Sequence, residues 1–165
     1  MVLRGSNDAK PHLLGRKWMS ISTDNGHHWS TPRPWTYADG QSFFSPSSCS
    51  QLLTHSNGRI YWIGNICPSN PRGNLPRYPL VIGEVDPASG GLICSTVNEI
   101  DSRRDGDWER MQVSNFFARE DRETGDIMIH CAPFDRTRET GTDGKPGEMN
   151  WTSDAWLYRV KIAVK

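Results

Sequence analysis

The segment that most narrows the fold is Ser22-Thr23-Asp24-Asn25-Gly26-His27-His28-Trp29. It follows a β-type run at 18–22 and precedes Ser30-Thr31-Pro32. Ser and Asp side chains can bond nearby backbone N–H groups and so close a turn. Gly26 can take a positive φ at no steric cost. Trp29 can cover the turn with apolar area. A chain that places this turn after a short extended run folds back as a β-hairpin.

The remaining sequence points the same way. Few windows place apolar residues at helical spacing, and Gly, Pro, Asn, Asp and Ser interrupt the chain often. Short β-type runs recur instead, at 18–22, 51–54, 59–67, 79–85, 126–132 and 156–164. Short strands bounded by turn residues predict an all-β sandwich, barrel or propeller. The run at 59–67 carries Ile60, Trp62, Gly64 and Ile66 on one side and Tyr61, Ile63, Asn65 and Cys67 on the other. Both faces are largely apolar, so this strand is expected to be covered on both sides. In the run at 156–164, Trp156, Tyr158, Val160 and Ile162 alternate with Leu157, Arg159, Lys161 and Ala163, so one face should meet solvent. Turns at 55–58, 86–91 and 122–125 are tight, whereas the connections at 65–78, 98–110 and 133–155 are long.

Composition removes several function classes. The formal net charge is zero, so there is no large basic field to hold nucleic acid or an acidic membrane. No stretch approaches the roughly 20 apolar residues that span a bilayer. Residues 1–10 lack the apolar core of a secretory signal. Cys49, Cys67, Cys94 and Cys131 are widely spaced and form no C-x-x-C pair, so no zinc or other metal site is expected. They read as free thiols buried in strands, and any disulfide among them cannot be paired from sequence. Asn150-Trp151-Thr152 is a formal glycosylation sequon.

The pattern S-x-D-x-G-x-x-W at Ser22, Asp24, Gly26 and Trp29 resembles the Asp box of sialidase-like (neuraminidase, BNR-repeat) β-propellers. Arg4-Gly5-Ser6-Asn7, Ser45-Pro46-Ser47-Ser48, Tyr61-Trp62-Ile63-Gly64-Asn65, the stretch at 74–80 and Ser114-Asn115-Phe116 are similar to segments of the same family. In that family the Asp box is a fold element, remote from the active site. The resemblance implies a partial, incomplete β-propeller: about three four-stranded antiparallel blades, at 1–40, 41–100 and 108–165, from the C-terminal part of a six-bladed protein. The missing blades are then expected from the rest of the chain or from another copy. In this frame the first blade holds strands at 1–6, 18–22 and 33–37. The second uses 49–54, 59–67, 79–85 and 92–97, and the third uses 112–118, 126–132 and 156–164. The tight turns then fall on one rim and the long connections on the other.

The resemblance also directs the search for a site. Sialidases clamp a substrate carboxylate with arginines, whose planar fork pairs bidentately with it. They use a Tyr nucleophile activated by a Glu, with an Asp as acid/base. On the long-connection rim Arg4 and Arg77 are the favoured substrate contacts, with Tyr78, Asn65, Asp39 and Ser45 as further candidates for a glycan. The strand expected at 112–118 has Phe116 and Phe117 but no Tyr, so no catalytic residue is assigned. The chain is expected to be part of a glycoside hydrolase that cleaves a terminal sugar, inactive as an isolated fragment and without a cofactor. A non-catalytic carbohydrate-binding or interaction propeller is the alternative. A secreted or periplasmic location fits a glycan ligand.

Overall fold

The computed structural model describes residues 1–140, 146–152 and 154–162. The described residues form three small antiparallel sheets and one separate hairpin. The first sheet contains β1 (Val2–Arg4), β2 (Lys17–Met19) and β3 (Arg33–Pro34), in that order. The middle sheet is a four-stranded meander of β4 (Gln51–Thr54), β5 (Ile60–Asn65), β6 (Leu80–Val85) and β7 (Asn98–Asp101). The third sheet orders β8 (Phe117–Glu120), β9 (Ile127–Cys131) and β12 (Trp156–Val160). Between β9 and β12 the chain forms a hairpin of β10 (Asp135–Thr140) and β11 (Pro146–Thr152).

The middle sheet is covered on both faces, as the two-sided pattern of β5 requires. Successive residues of a strand point to opposite faces. Tyr61, Ile63, Leu80 and Ile82 join a core with Ala118, Ile127 and Ile129 of the third sheet. Trp62 and Val81 point the other way, into a core with Met19, Trp35, Phe43 and Leu92. The Trp62 indole lies over Gly64, where a Cβ would overlap the ring. Trp35 meets Trp62 edge to face, with ring centroids 5.1 Å apart. Fully burying each such side chain stabilises the fold by about 1.5–3 kcal/mol.

Polar ties lock the sheets against each other. The Gln51 amide donates to Ala118 O at 2.7 Å and accepts from Ala118 N–H at 2.9 Å, so a side chain of β4 pairs with the backbone of β8. Trp35 Nε1 donates to Gly90 O at 2.7 Å, joining the first sheet to the middle one. Tyr158 Oη donates to Asp101 Oδ2 at 2.5 Å, tying β12 to β7.

The Ser22–Trp29 turn joins β2 to β3 and is closed by its own side chains. Ser22 Oγ accepts from Gly26 N–H at 2.8 Å and donates to Asp24 Oδ1 at 2.8 Å. Asp24 Oδ1 accepts from His28 N–H at 2.9 Å, and Trp29 Nε1 donates to Gly26 O at 3.0 Å. Asn25 and Gly26 take φ of 58° and 90°, which is why a glycine is needed there. The turn at 86–91 works similarly: Asp86 accepts from Ala88 N–H, Ser89 N–H and Ser89 Oγ.

Several expected boundaries move. Residues 92–97 are not the fourth strand of the middle sheet. Leu92 is fully buried and bridges Tyr37 and Val85, and Cys94–Thr96 form a 3-10 turn. Glu84 N–H donates to Thr96 Oγ1 there, so the outer strand pairs only from Asn98 onward. The innermost strand of the third sheet is Phe117–Glu120 rather than 112–118, because Asn115 takes a left-handed φ of 57° and breaks the run. The connection at 133–155 holds the β10–β11 hairpin. In β12, Tyr158 and Val160 pack toward the core while Leu157 and Arg159 face solvent, as the alternation predicts, but Trp156, expected on the same side as Tyr158, is exposed. Ala163 and Val164 lie outside the described residues. All four cysteines are free; Cys67 and Cys131 are buried, Cys49 is half-buried, and Cys94, expected inside, is exposed on the 3-10 turn.

Two outcomes are expected from this packing. Gln51→Leu removes the clamp on Ala118 and leaves a buried N–H and C=O without partners, which should lower unfolding free energy by about 1–3 kcal/mol in urea titrations. Asp24, Asp86, Glu120 and Asp126 are held below their ordinary values, chiefly by the His28 N–H, the Ser89 hydroxyl, the Ser56 hydroxyl and the Arg159 guanidinium respectively. Each therefore contributes stability that is present above the unfolded values of 3.8 for Asp and 4.5 for Glu and is lost as pH falls through the lower folded values. The urea midpoint should hold steady down to about pH 5 and decline below it.

Candidate anion-binding site

The long connections interlock at one end of the sheets, opposite the tight turns. Asn7 is buried and donates from Nδ2 to Leu13 O and Pro71 O, both at 2.9 Å, while its Oδ1 accepts from Gly73 N–H at 2.8 Å. Gly15 N–H donates to Asn70 Oδ1 at 2.8 Å. Ser47 N–H reaches Gly73 O at 2.8 Å. These bonds join the 5–16, 43–48 and 66–79 segments into one framework.

Asn65 and Ser45, expected as sugar contacts, are inside that framework. Both are fully buried. The Asn65 amide nitrogen donates to Arg77 O, Pro79 O and Val113 O at 3.1, 3.0 and 3.0 Å, and Ser45 Oγ donates to Asn65 O at 2.7 Å. One amide thus holds the start of β6 against both Arg77 and the 111–113 segment. Tyr78 packs against the core shared by the middle and third sheets, and its Oη donates to Glu109 O at 3.2 Å. Asp39 stands apart from this group. It is exposed and closes its own turn by accepting from Gln41 N–H at 2.9 Å, and neighbouring Ala38 lies against Gly91 of a tight turn.

The charges of Arg4 and Arg77 both bear on one residue that sequence reasoning missed. Arg4 ends β1 directly opposite Lys17 of β2. Both arginines lie close enough for their charges to bear on the Lys17 ammonium. Lys17 is fully buried, and its Nζ donates to Pro46 O at 3.0 Å and Ser48 O at 2.5 Å. Burial pushes the Lys17 amine down to about 8, with Cys49 and Cys67 opposing it and Arg4 and Arg77 adding to it. Arg77 Nε donates to Asn74 O at 3.1 Å. Among the described residues no carboxylate pairs with Arg4, Lys17 or Arg77. The signal for Lys17 was present in the alternation of β2, since Lys17 and Met19 share the inward face while Trp18 points out.

The nucleophile geometry of a sialidase is not assembled from the described residues. Tyr158 touches a carboxylate, but burial and then the hydrogen bond to Asp101 push its phenol up and keep it protonated. A groove of about 460 Å³, lined in part by Arg59, Tyr61, Glu84, Asn98, Val160 and Ile162, opens beside the end of β12 at the tight-turn end, away from the cations.

No family model and no curated protein matches the chain. Among solved structures it is similar to a GH43_12 retrieved from a capybara gut metagenome, with a TM-score of 0.50 and 15% sequence identity. The likeness covers 87% of this chain and 25% of that one, so the chain spans about a quarter of its length. GH43 is a β-propeller family of glycoside hydrolases, so the all-β sheets have a solved counterpart in a glycosidase-like propeller.

The buried amide of Asn65 carries a direct consequence. Asn65→Leu takes the shared donor from Pro79 O and Val113 O, while Arg77 O keeps Val113 N–H, and should lower unfolding free energy by about 1–3 kcal/mol, read by chemical denaturation.

Proposed function

We propose that the chain is a section of a sialidase-like, six-bladed glycoside hydrolase whose Arg4–Arg77 cluster holds the carboxylate of a terminal acidic sugar. The observation that carries this reading is Arg4 standing opposite buried Lys17, with the Arg77 charge also bearing on Lys17 and no carboxylate paired to any of the three among the described residues. Uncompensated guanidinium groups on a rigid framework suit a carboxylate ligand. The Ser22–Trp29 turn is the Asp box of this reading, a hairpin lock at the opposite end. Tyr78 is a secondary glycan contact, Asp39 stands apart from the cluster, and Asn65 and Ser45 support the site from beneath.

The terminal sheets support a section of a larger ring. Leu3, Trp18 and Pro34 form a cross-strand row on the first sheet, and Trp18 is 36% exposed. Phe117, His130 and Leu157 form such a row on the third, with Phe117 60% exposed. Each row lies on the face turned away from the middle sheet. Further blades, from the rest of the chain or another copy, would cover these rows, and a fourth strand would pair with the outer edge of β12. The isolated chain is then inactive on sialosides. A second reading, a non-catalytic sugar-binding propeller, is favoured by the Tyr158 phenol, which is held protonated rather than activated.

Arg77→Gln in the full-length protein should weaken binding of a carboxylate-bearing sugar about tenfold or more by calorimetry, with little change for its neutral methyl ester. Equal affinity of wild type for the acid and the ester would defeat the carboxylate reading.

A further inference from the structure

Lys17 does more than fill space beneath the arginines. Its side chain leaves β2 toward the middle sheet and ends between Pro46 O and Ser48 O, which are neutral acceptors. The charged and titratable groups facing it are Arg4 from its own sheet, Arg77 from the 66–79 connection, and the thiols of Cys49 and Cys67. None is an acid. The Pro46–Ser48 strap it grips lies between Ser45, which is bonded to Asn65 O, and Cys49, whose sulfur accepts from Asn115 N–H at 3.2 Å.

We infer that Lys17 is a positioning residue of the Arg4–Arg77 site: its buried ammonium holds the Pro46–Ser48 strap, and an anion bound at the two arginines is bound together with the Lys17 proton. This rests on the anion-binding reading above. The physical reason is linkage. A cation buried without a carboxylate holds its proton weakly, here with a value near 8. An anion placed beside Arg4 and Arg77 supplies the missing negative charge and makes the protonated form easier to keep. Binding therefore takes up a proton where the free amine is partly neutral. Affinity is full below about 8 and falls as pH rises through that value. A guanidinium does not titrate in this range. Burial pushes the Cys67 thiol up to about 12, so it stays neutral there.

The test uses N-acetylneuraminate as the carboxylate probe with the full-length protein. Side-chain NMR of Lys17 without probe should give a midpoint near 8 rather than the ordinary 10.5, moving up in Arg77→Gln. By calorimetry the probe should bind about fivefold more weakly at about pH 9 than at about pH 7, the change expected if binding lifts Lys17 by about one unit. Lys17→Met should flatten that profile, and Cys49→Ser should preserve it. A Lys17 midpoint at its ordinary value overturns the inference. A pH-independent affinity that is still lost in Arg77→Gln overturns the Lys17 role and leaves the arginine reading standing. Failure of the probe to bind at any pH defeats both. If Lys17→Met does not fold, the wild-type NMR titration and pH profile decide.

Discussion

A sheet that is apolar on both faces cannot stand at a protein surface, and the rest of this structure follows from having one. In β5 and β6, alternate residues leave for opposite cores: Tyr61, Ile63, Leu80 and Ile82 on one side, Trp62 and Val81 on the other. A one-residue slip would exchange the two sets and unpack both cores. The neighbours are placed accordingly, with the first sheet presenting Met19 and Trp35 and the third presenting Ala118 and Ile129. Gln51 on Ala118 and Trp35 on Gly90 then fix how far each neighbour can slide. Directional bonds of this kind matter more for register than for total stability, to which burial contributes most.

The same stacking separates two kinds of chemistry at the two ends of the sheets. At the tight-turn end, exposed carboxylates such as Asp24 and Asp86 bond only the backbone and side chains of their own turns. At the other end, long segments must cross between sheets and bury their polar groups. Asn7 and Asn65 satisfy those groups with amides that serve two or three partners each. Such a framework is rigid because every shift would break several bonds at once. Arg4 and Arg77 are carried on it, and Lys17 is built into it.

Much of the fold was legible because it rests on local rules. The period-two pattern of β5 predicted its double burial, and Ser22, Asp24, Gly26 and Trp29 predicted a self-closing hairpin. The errors arose where distant contacts override local pattern. Leu92 looks like the start of a strand, but it is drawn into the core beside Tyr37, and pairing waits until Asn98. Asn115 reads as part of a strand at 112–118 until its left-handed φ is seen. In the hairpin of β10 and β11 the first strand is charged and polar throughout and the second offers only Met149 and Trp151, so the apolar signal is weak. At the site, Arg4 and Arg77 could be chosen by residue type. Asn65 could not be told from a ligand contact, because its role depends on carbonyls of residues 77, 79 and 113 that only the fold brings near. Lys17 escaped because a charged residue is rarely buried whole.

The central claim is that the middle sheet is the twice-covered layer, and amide hydrogen exchange resolved by residue tests it most directly. The account predicts that Ile60–Asn65 and Leu80–Val85 exchange slowest, near the global unfolding limit, with Val2–Arg4 and Trp156–Val160 opening far more readily. Slowest exchange in the first or third sheet, or uniform protection across all three, would contradict it.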